Sequence, residues 1–177
     1  MFGLKRKKRR KSLVDFPPAD PQILLDGQSV GRAIVGAAIA VTLFNYAWVL
    51  SAELFGKVFP WLSMIQGMIV GLAVRRSGQG FDWRFPLLAA VAAWFGAVSA
   101  NFVIAMMTTS DDLGVSAWQV AESLTSMTFD VFFTETFNVV DHIYALSAAA
   151  IAAFYSKRLL NRREVLVLRN YEQEANQ

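Results

Sequence analysis

The sequence predicts an all-α integral membrane protein with four transmembrane helices, both termini in the cytoplasm, and a short extracytoplasmic interfacial helix before the last span. Three observations predict this fold. Hydrophobic residues make up 55% of the 177 residues, which is more than a soluble domain usually contains. Four apolar runs are long enough to cross a bilayer. Sixteen of the seventeen Lys and Arg residues lie beside one set of run ends.

Residues 1–29 are predicted to be a polybasic, proline-bearing cytoplasmic tail. Seven consecutive cations cannot be buried, and the long polar stretch after them does not match a signal peptide. Three roles stay open for this N-terminal arm: a determinant of topology, a tether to anionic lipid, and a docking arm for an acidic partner. We expect no nucleic-acid partner, because no folded reader domain or interleaved aromatic residues accompany the cations. The arm residues are Lys5, Arg6, Lys7, Lys8, Arg9, Arg10 and Lys11.

Residues 30–156 are predicted to form the membrane bundle. A helix rises about 1.5 Å per residue, so about 20 residues cross a hydrocarbon core of ~30 Å. Pro60 and Pro86 fall in predicted first turns, where a missing N–H is harmless. The four predicted spans are Gly31 to Leu54, Val58 to Val74, Phe85 to Met107, and Phe133 to Tyr155.

The segments around the last two spans are polar. Ser116 and Gln119 have the spacing of a capping box, which predicts a short helix over AWQVAESLTSM. SGQG after Arg76 is predicted to be a tight cytoplasmic turn, because the strand and spacing of a phosphate-binding loop are missing. Residues 157–177 are predicted to be a charged cytoplasmic tail, in which Glu164 to Arg169 stays open between helix and strand.

The distribution of cations predicts the orientation. The N-terminal region with Arg32 has eight cations, the loop between the second and third spans has three, and the C-terminal tail has five. The opposite span ends have only Lys57, and the loop from Thr108 to Glu135 contains five acids and no cation. The positive-inside rule therefore places both termini in the cytoplasm, and we expect a bacterial cytoplasmic (inner) membrane.

Small residues recur at every fourth position of the second and third spans. This spacing allows two helix backbones to approach closely, which matters in lipid because apolar side chains gain little by leaving that solvent. Two interpretations stay open: the second and third spans pack on each other, or part of this surface meets another subunit. The predicted helix-packing residues are Ser63, Gly67, Gly71, Ala93 and Ala97, with Asn101 and Ala105 continuing the third-span row.

Polar side chains within the predicted spans are candidate binding residues. They are Asn45, Gln66, Asn101, Asp141 and His142. A central aspartate costs about 2.5 to 3.5 kcal/mol, which nearly cancels the apolar gain of the fourth span, so Asp141 should need a partner. Asp141 and His142 form the ionisable pair of that span. They can act as a proton relay or cation site, or as a hydrogen-bonded clamp.

The tryptophans divide into two groups by position. Four fall near the predicted membrane interfaces, where aromatic side chains form a belt: Trp48, Trp61, Trp83 and Trp118. Trp94 lies in the middle of the third span and is expected to pack against other helices.

The composition argues against common catalytic chemistry. The chain has no cysteine and one histidine, so thiolate sites are excluded and a zinc site made by protein ligands alone is not expected. No nucleophile or metal ligands accompany Asp141 and His142 in the sequence. We therefore expect no enzymatic activity, no metal and no cofactor.

The segment IQGMIVGLAVRRSGQG, followed by a small-residue span and a last span ending in FYSKR, resembles a set of small bacterial membrane proteins. In that set a glycine-spaced helix leads into a basic, glycine-containing loop. The resemblance covers residues 64–157 and implies a four-helix membrane bundle. Some of those proteins carry a cysteine-bearing soluble appendage, whereas this chain has a polybasic arm, so no functional residue is carried over.

Together these features predict a non-enzymatic subunit or adaptor of a larger membrane assembly. It would pack through small-residue helix faces and dock through its basic cytoplasmic tails. The alternative is a small ion- or proton-coupled transporter or channel component that uses Asp141 and His142. The expected partners are anionic membrane lipids, bound by the N-terminal arm, and other membrane subunits or a second copy of the chain.

Overall fold

The computed structural model describes residues 20–125, 128–136 and 138–175, and the Lys5–Lys11 arm lies outside these ranges. Helices make up 83% of the described residues, and no strand occurs among them, which confirms the all-α prediction. The helices are α1 (Pro21–Asp26), α2 (Val30–Phe55), α3 (Leu62–Gly78), α4 (Arg84–Leu113), α5 (Ala117–Ser123), α6 (Thr128–Thr136), α7 (Val139–Ser156) and α8 (Arg162–Ala175).

Three helical stretches are long and apolar enough to cross a membrane: Pro21–Phe55, which contains α1 and the long apolar α2, Arg84–Leu113 and Val139–Ser156. They support the prediction of a transmembrane protein. α3, with 17 residues, is shorter and carries Arg75 and Arg76 in its last turn.

The chain divides into two compact units. In the smaller one α1 packs against α8, with Leu24 and Leu168 buried. α8 contains Glu164 to Arg169, so this segment is helical. The larger unit runs from Gly27 to Leu159 and contains α2 to α7.

In the larger unit α2, α3, α4 and α7 pack around a core of small side chains. Six of the nine buried residues in the main core cluster are alanines, so the helices approach one another closely. The cluster consists of Ala33, Ala37, Ala40, Val70, Val74, Phe85, Ala89, Ala93 and Ala152.

Backbone hydrogen bonds bring four helix ends together at one end of this bundle. The Ser29 N–H donates to the Gly78 carbonyl at 3.0 Å, and the Arg158 N–H donates to the Gly80 carbonyl at 3.0 Å. The starts of α2 and α4 therefore lie beside the ends of α3 and α7. We call this the basic end, because its cations are Arg32, Arg75, Arg76, Arg84, Lys157 and Arg158.

Ser77 and Gly78 of the SGQG segment are the last residues of α3, and Gln79 and Gly80 turn the chain at the basic end. Gln79 has a φ of 48°, and its N–H donates to the Arg75 carbonyl at 3.2 Å. The ring of Phe85 fills the space inside the turn: a Cβ at Gly78 would lie 2.6 Å from Phe85 Cε1, and one at Gly80 would overlap the ring. The two glycines therefore let the turn close over Phe85, which is buried.

The predicted fourth span, Phe133 to Tyr155, is corrected by the structure. α6 ends at Thr136 and α7 begins at Val139. Asn138 is extended, with φ −80° and ψ 158°, and its N–H donates to Asp141 Oδ2 at 3.0 Å. This N-terminal cap starts a new helix, so the apolar run is not one continuous helix.

The segment before α6 agrees better with expectation. The capping box is present, since the Gln119 N–H donates to Ser116 Oγ at 3.3 Å and the Ser116 N–H donates to Gln119 Oε1 at 3.0 Å. α5 ends at Ser123, earlier than the AWQVAESLTSM pattern predicts, and residues 126 and 127 lie outside the described ranges.

Of the tryptophans expected at the interfaces, Trp61, Trp83 and Trp118 are exposed. The expectations for the other two tryptophans are reversed. Trp48 is buried against Ala100 and Ile104, with an edge-on contact to Phe44. Trp94 is 42% exposed. It follows Ala93, a buried residue of α4, by about 100° around the helix, which turns it toward the outside of the bundle.

Candidate functional site

Three polar side chains meet inside the bundle, one each from α2, α3 and α4. Asn45 Oδ1 accepts a hydrogen bond from Gln66 Nε2 at 2.6 Å, and Asn45 Nδ2 donates to Ser99 Oγ at 3.0 Å. The same Nδ2 also donates to the Gly96 carbonyl at 3.1 Å. Asn45 thus uses both ends of its amide to join three helices. We call Asn45, Gln66 and Ser99 the amide cluster.

Gly96 makes room for this cluster. A Cβ at Gly96 would lie 2.6 Å from Gln66 Nε2, so a larger residue there would displace the Gln66 amide. The Gly96 carbonyl accepts from Ser99 Oγ at 3.0 Å as well as from Asn45. Gly96 therefore supplies both the space for the Gln66 amide and a carbonyl that accepts hydrogen bonds from Asn45 and Ser99.

The amide cluster is incompletely hydrogen-bonded. Gln66 is fully buried, and its Oε1 has no partner among the described residues. The Trp48 indole N–H, one helical turn after Asn45 on α2, is likewise buried without a partner in the part of the chain that the structure describes. An unsatisfied buried polar group costs about 1 to 3 kcal/mol, so Gln66 retains only part of its possible stabilisation.

The chemistry of the amide cluster is limited to hydrogen bonding. Amide and hydroxyl groups donate and accept hydrogen bonds but do not titrate near neutral pH. Of the five predicted polar residues, the structure brings together Asn45 and Gln66. Asn101 is half-buried, and no hydrogen bond joins it to these two within the described ranges.

Asp141 and His142 lie in the first turn of α7, at the bundle end opposite the basic end. Asp141 is half-buried, and its Oδ2 accepts the Asn138 N–H described above. His142 is exposed, with its ring centroid 6.3 Å from that of Phe133. Among the described residues no hydrogen bond connects Asp141 to the amide cluster, and no group of three His, Cys, Asp or Glu is placed to hold a metal ion.

The glycines of α3 face α7 rather than α4. A Cβ at Gly67 would lie 2.8 Å from Ala148 Cα and would overlap the Ala148 carbonyl; a Cβ at Gly71 would lie 2.6 Å from the Ala152 carbonyl oxygen. One turn earlier, Ser63 Oγ donates to the Tyr144 carbonyl at 3.3 Å. We call this contact the α3–α7 crossing.

The three contacts of the α3–α7 crossing follow a regular register. Ser63 with Tyr144, Gly67 with Ala148, and Gly71 with Ala152 each advance by four residues on both helices, so α3 and α7 run parallel. All five predicted helix-packing residues are buried; these are Ser63, Gly67, Gly71, Ala93 and Ala97. The small-residue row of α3 is therefore occupied within the chain.

The residues that sequence reasoning missed are Ser99 and the α7 partners of the glycines. A serine in an apolar helix commonly bonds to a carbonyl of its own preceding turn, so its presence alone does not mark a cluster. The α7 partner Ala148 is 81 positions from Gly67, and periodicity does not select one small-residue row over another as its contact.

Comparisons of the chain with protein-family models, with curated proteins and with solved structures find no match.

Proposed function

We propose that this chain is a non-enzymatic subunit or adaptor of a larger membrane assembly in a bacterial cytoplasmic membrane. In this proposal α2, α3, α4 and α7 are the four spans, both termini are cytoplasmic, and α5 lies at the extracytoplasmic surface. The observation that carries the proposal is an apolar groove of about 440 Å³ between α2 and α4. Its lining residues are Ile34, Ala37, Ala38, Val41, Leu88, Val91, Ala92 and Phe95.

The shape of this α2–α4 groove suits another helix. Its lining contains three small residues, the buried Ala37, the half-buried Ala92 and the exposed Ala38, and the large apolar side chains of Ile34, Val91 and Phe95 are exposed beside them. In lipid, helices associate mainly through close packing, which small residues permit. Because the α3–α7 crossing is occupied within the chain, this groove is the surface we assign to a neighbouring subunit.

The amide cluster supports a structural role over transport. Asn45, Gln66 and Ser99 join three helices, and none of them can carry a proton at neutral pH. Asp141, the acid that the transporter alternative requires, is hydrogen-bonded at the start of α7. The buried polar groups therefore favour an adaptor.

The charges at the two bundle ends support the proposed orientation. The basic end has six cations within the larger unit. At the other end, a cleft of about 370 Å³ is lined by Glu53, Asp111 and Asp112 together with Lys57. The positive-inside rule assigns the basic end to the cytoplasm. α3 is uncharged only from Leu62 to Val74, which rises about 20 Å at about 1.5 Å per residue, and the whole helix of 17 residues rises about 26 Å. In the proposed topology this short span therefore relies on the long side chains of Arg75 and Arg76 to extend to the cytoplasmic surface.

The orientation predicts opposite labelling of two introduced cysteines. The chain has no cysteine of its own, and Asp82 and Asp112 are both exposed at opposite ends of the bundle. In intact cells an impermeant maleimide should label Asp112→Cys and spare Asp82→Cys, which should react only after the membrane is opened. Both variants should react in detergent. Labelling of Asp82→Cys from outside would refute the four-span topology.

The groove predicts a selective loss of assembly. Ala38 and Ala47 are exposed alanines of α2, and only Ala38 lines the groove. Gently extracted protein should run above its monomer mass of 19.6 kDa in native mass spectrometry. Ala38→Phe should reduce that complex about tenfold, since overpacking an interface costs about 1 to 3 kcal/mol. Ala47→Phe should retain it. A wild-type monomer, or equal behaviour of the two variants, would contradict the adaptor proposal.

A further inference from the structure

Two neighbouring clefts open at the basic end of the bundle, and Arg75 lines both of them. The first, the basic cleft, measures about 570 Å³ and is lined by Leu72, Arg75, Arg76, Gln79 and Arg158. The second, the apolar cleft, measures about 560 Å³ and is lined mainly by Pro86, Ala153, Phe154, Tyr155 and Leu159, with Arg75 and Lys157 as its charged members.

The backbone holds the arginines of the basic cleft beside one another. Gln79, in the left-handed conformation, ends α3 directly after Arg75 and Arg76 by donating its N–H to the Arg75 carbonyl. The Arg158 N–H donates to the Gly80 carbonyl at 3.0 Å, which ties the segment after α7 to the same turn. Main-chain hydrogen bonds therefore hold the backbones of Arg75, Arg76 and Arg158 close to one another.

The charge of this region calls for an anion. Three arginines line the basic cleft and Lys157 stands in the apolar cleft, while neither cleft is lined by an Asp or Glu. In the described part of the chain, Arg75 and Arg76 form no ion pair. Because Arg75 and Arg76 lie in the last turn of α3, the helix dipole offsets part of the repulsion between them. Guanidinium groups bind phosphate oxygens in bidentate pairs, so a phosphate group is the anion that fits best.

The apolar cleft identifies the molecule that carries the phosphate. Phe154 is 80% exposed and Leu159 is 78% exposed, directly beside the cationic groups. A free phosphate ion would gain no binding energy from contact with this apolar surface. A phospholipid has the same arrangement, with an anionic headgroup joined to acyl chains, and basic pockets between helices at the cytoplasmic surface recognise such headgroups.

We propose that the basic and apolar clefts together form a binding site for an anionic phospholipid. The headgroup phosphate lies against Arg75 and Arg76, and an acyl chain lies along Phe154 and Leu159. This site is separate from the N-terminal arm and from the α2–α4 groove. It does not depend on a partner subunit, so its test is independent of the adaptor proposal.

The test uses the full chain in a neutral detergent and native mass spectrometry with added lipid. The wild type should retain one or two molecules of phosphatidylglycerol and much less phosphatidylcholine with the same acyl chains. Arg75→Gln/Arg76→Gln should weaken phosphatidylglycerol retention by about fivefold for each arginine removed. The matched control, Arg162→Gln/Arg169→Gln, removes two exposed cations of α8 and should retain lipid as the wild type does.

A second variant separates a lipid from a free anion. Phe154→Ser changes an exposed residue of the apolar cleft and should weaken phosphatidylglycerol retention without altering the thermal midpoint of the lipid-free protein. Millimolar inorganic phosphate should not displace the lipid. Equal retention by the wild type and both cleft variants, or equal retention of the two lipids, would overturn the proposal. Displacement by phosphate together with normal retention in Phe154→Ser would assign the site to a free phosphate instead.

Discussion

Gly67→Leu is expected to lower the thermal unfolding midpoint of the detergent-solubilised protein by roughly 10 °C. A Cβ at Gly67 already overlaps the Ala148 carbonyl, so a leucine side chain must push α3 and α7 apart along the whole crossing. Overpacking costs about 1 to 3 kcal/mol and more where backbone is the obstacle, and for a chain of this size each kcal/mol moves the midpoint by about 2 to 4 °C.

The chain supplies a matched control for this substitution. Gly31 lies in the first turn of α2, and a Cβ there meets no atom within 4 Å. Gly31→Leu should therefore leave the midpoint unchanged or raise it slightly, because glycine is a poor helix former. Alanine substitutions should shift the midpoint in opposite directions: Gly31→Ala should raise it, and Gly67→Ala should lower it. If the two glycines respond alike, the α3–α7 crossing is not a close contact.

How well each helix could be predicted depended on whether its end signals were local. The predicted first span, Gly31 to Leu54, nearly coincides with α2, since Ser29 caps its start and Gly56 ends it in the left-handed conformation. The second predicted span runs from Val58 to Val74, whereas α3 runs from Leu62 to Gly78. Hydrophobicity ends at Val74, but hydrogen bonding continues through Arg75 and Arg76 to the turn over Phe85.

The break between α6 and α7 has a local signal that the hydropathy pattern does not show. Asn138 and Asp141 have the three-residue spacing of an N-terminal cap, but they stand within an apolar run whose average hydropathy conceals a break of two residues. The cost of burying its carboxyl group predicts a partner for Asp141, with Asn45, Gln66, Asn101 and His142 as the candidates. The partner that the structure supplies is the Asn138 N–H, three residues away along the same chain.

The small-residue row of α4 shows the limit of periodicity. A strict four-residue spacing rotates by about 40° at each step, because a helix has 3.6 residues per turn. Ala93 and Ala97 remain buried, but the inner face then passes to Ala100 and Ile104, while Asn101 is only half-buried. Asn101 therefore stands beside the inner face, and Ser99, not Asn101, joins the amide cluster.

The second prediction with a large expected effect on stability concerns the amide cluster. Asn45→Leu removes the acceptor of Gln66 Nε2 and leaves the whole Gln66 amide buried without a partner, since its Oε1 has none among the described residues. An unsatisfied buried amide costs about 1 to 3 kcal/mol, whereas interhelical hydrogen bonds in membranes contribute about 0.6 kcal/mol on average. Asn45→Leu should therefore lower the thermal midpoint by roughly 4 to 8 °C, mainly because it leaves the buried Gln66 amide without a hydrogen-bond partner.

Leaving a buried amide without a partner costs more than losing one hydrogen bond contributes, and this difference provides a control for Asn45→Leu. Gln66→Met keeps a flexible side chain of similar length and removes both polar atoms of Gln66. In Asn45→Leu/Gln66→Met no Gln66 amide remains to be stranded, so the double variant should recover most of the stability that Asn45→Leu loses. Midpoints of the four proteins in one detergent measure the coupling. If the losses of the two single variants simply add in the double variant, then Asn45 and Gln66 act independently, and the amide cluster is not the device that joins α2, α3 and α4.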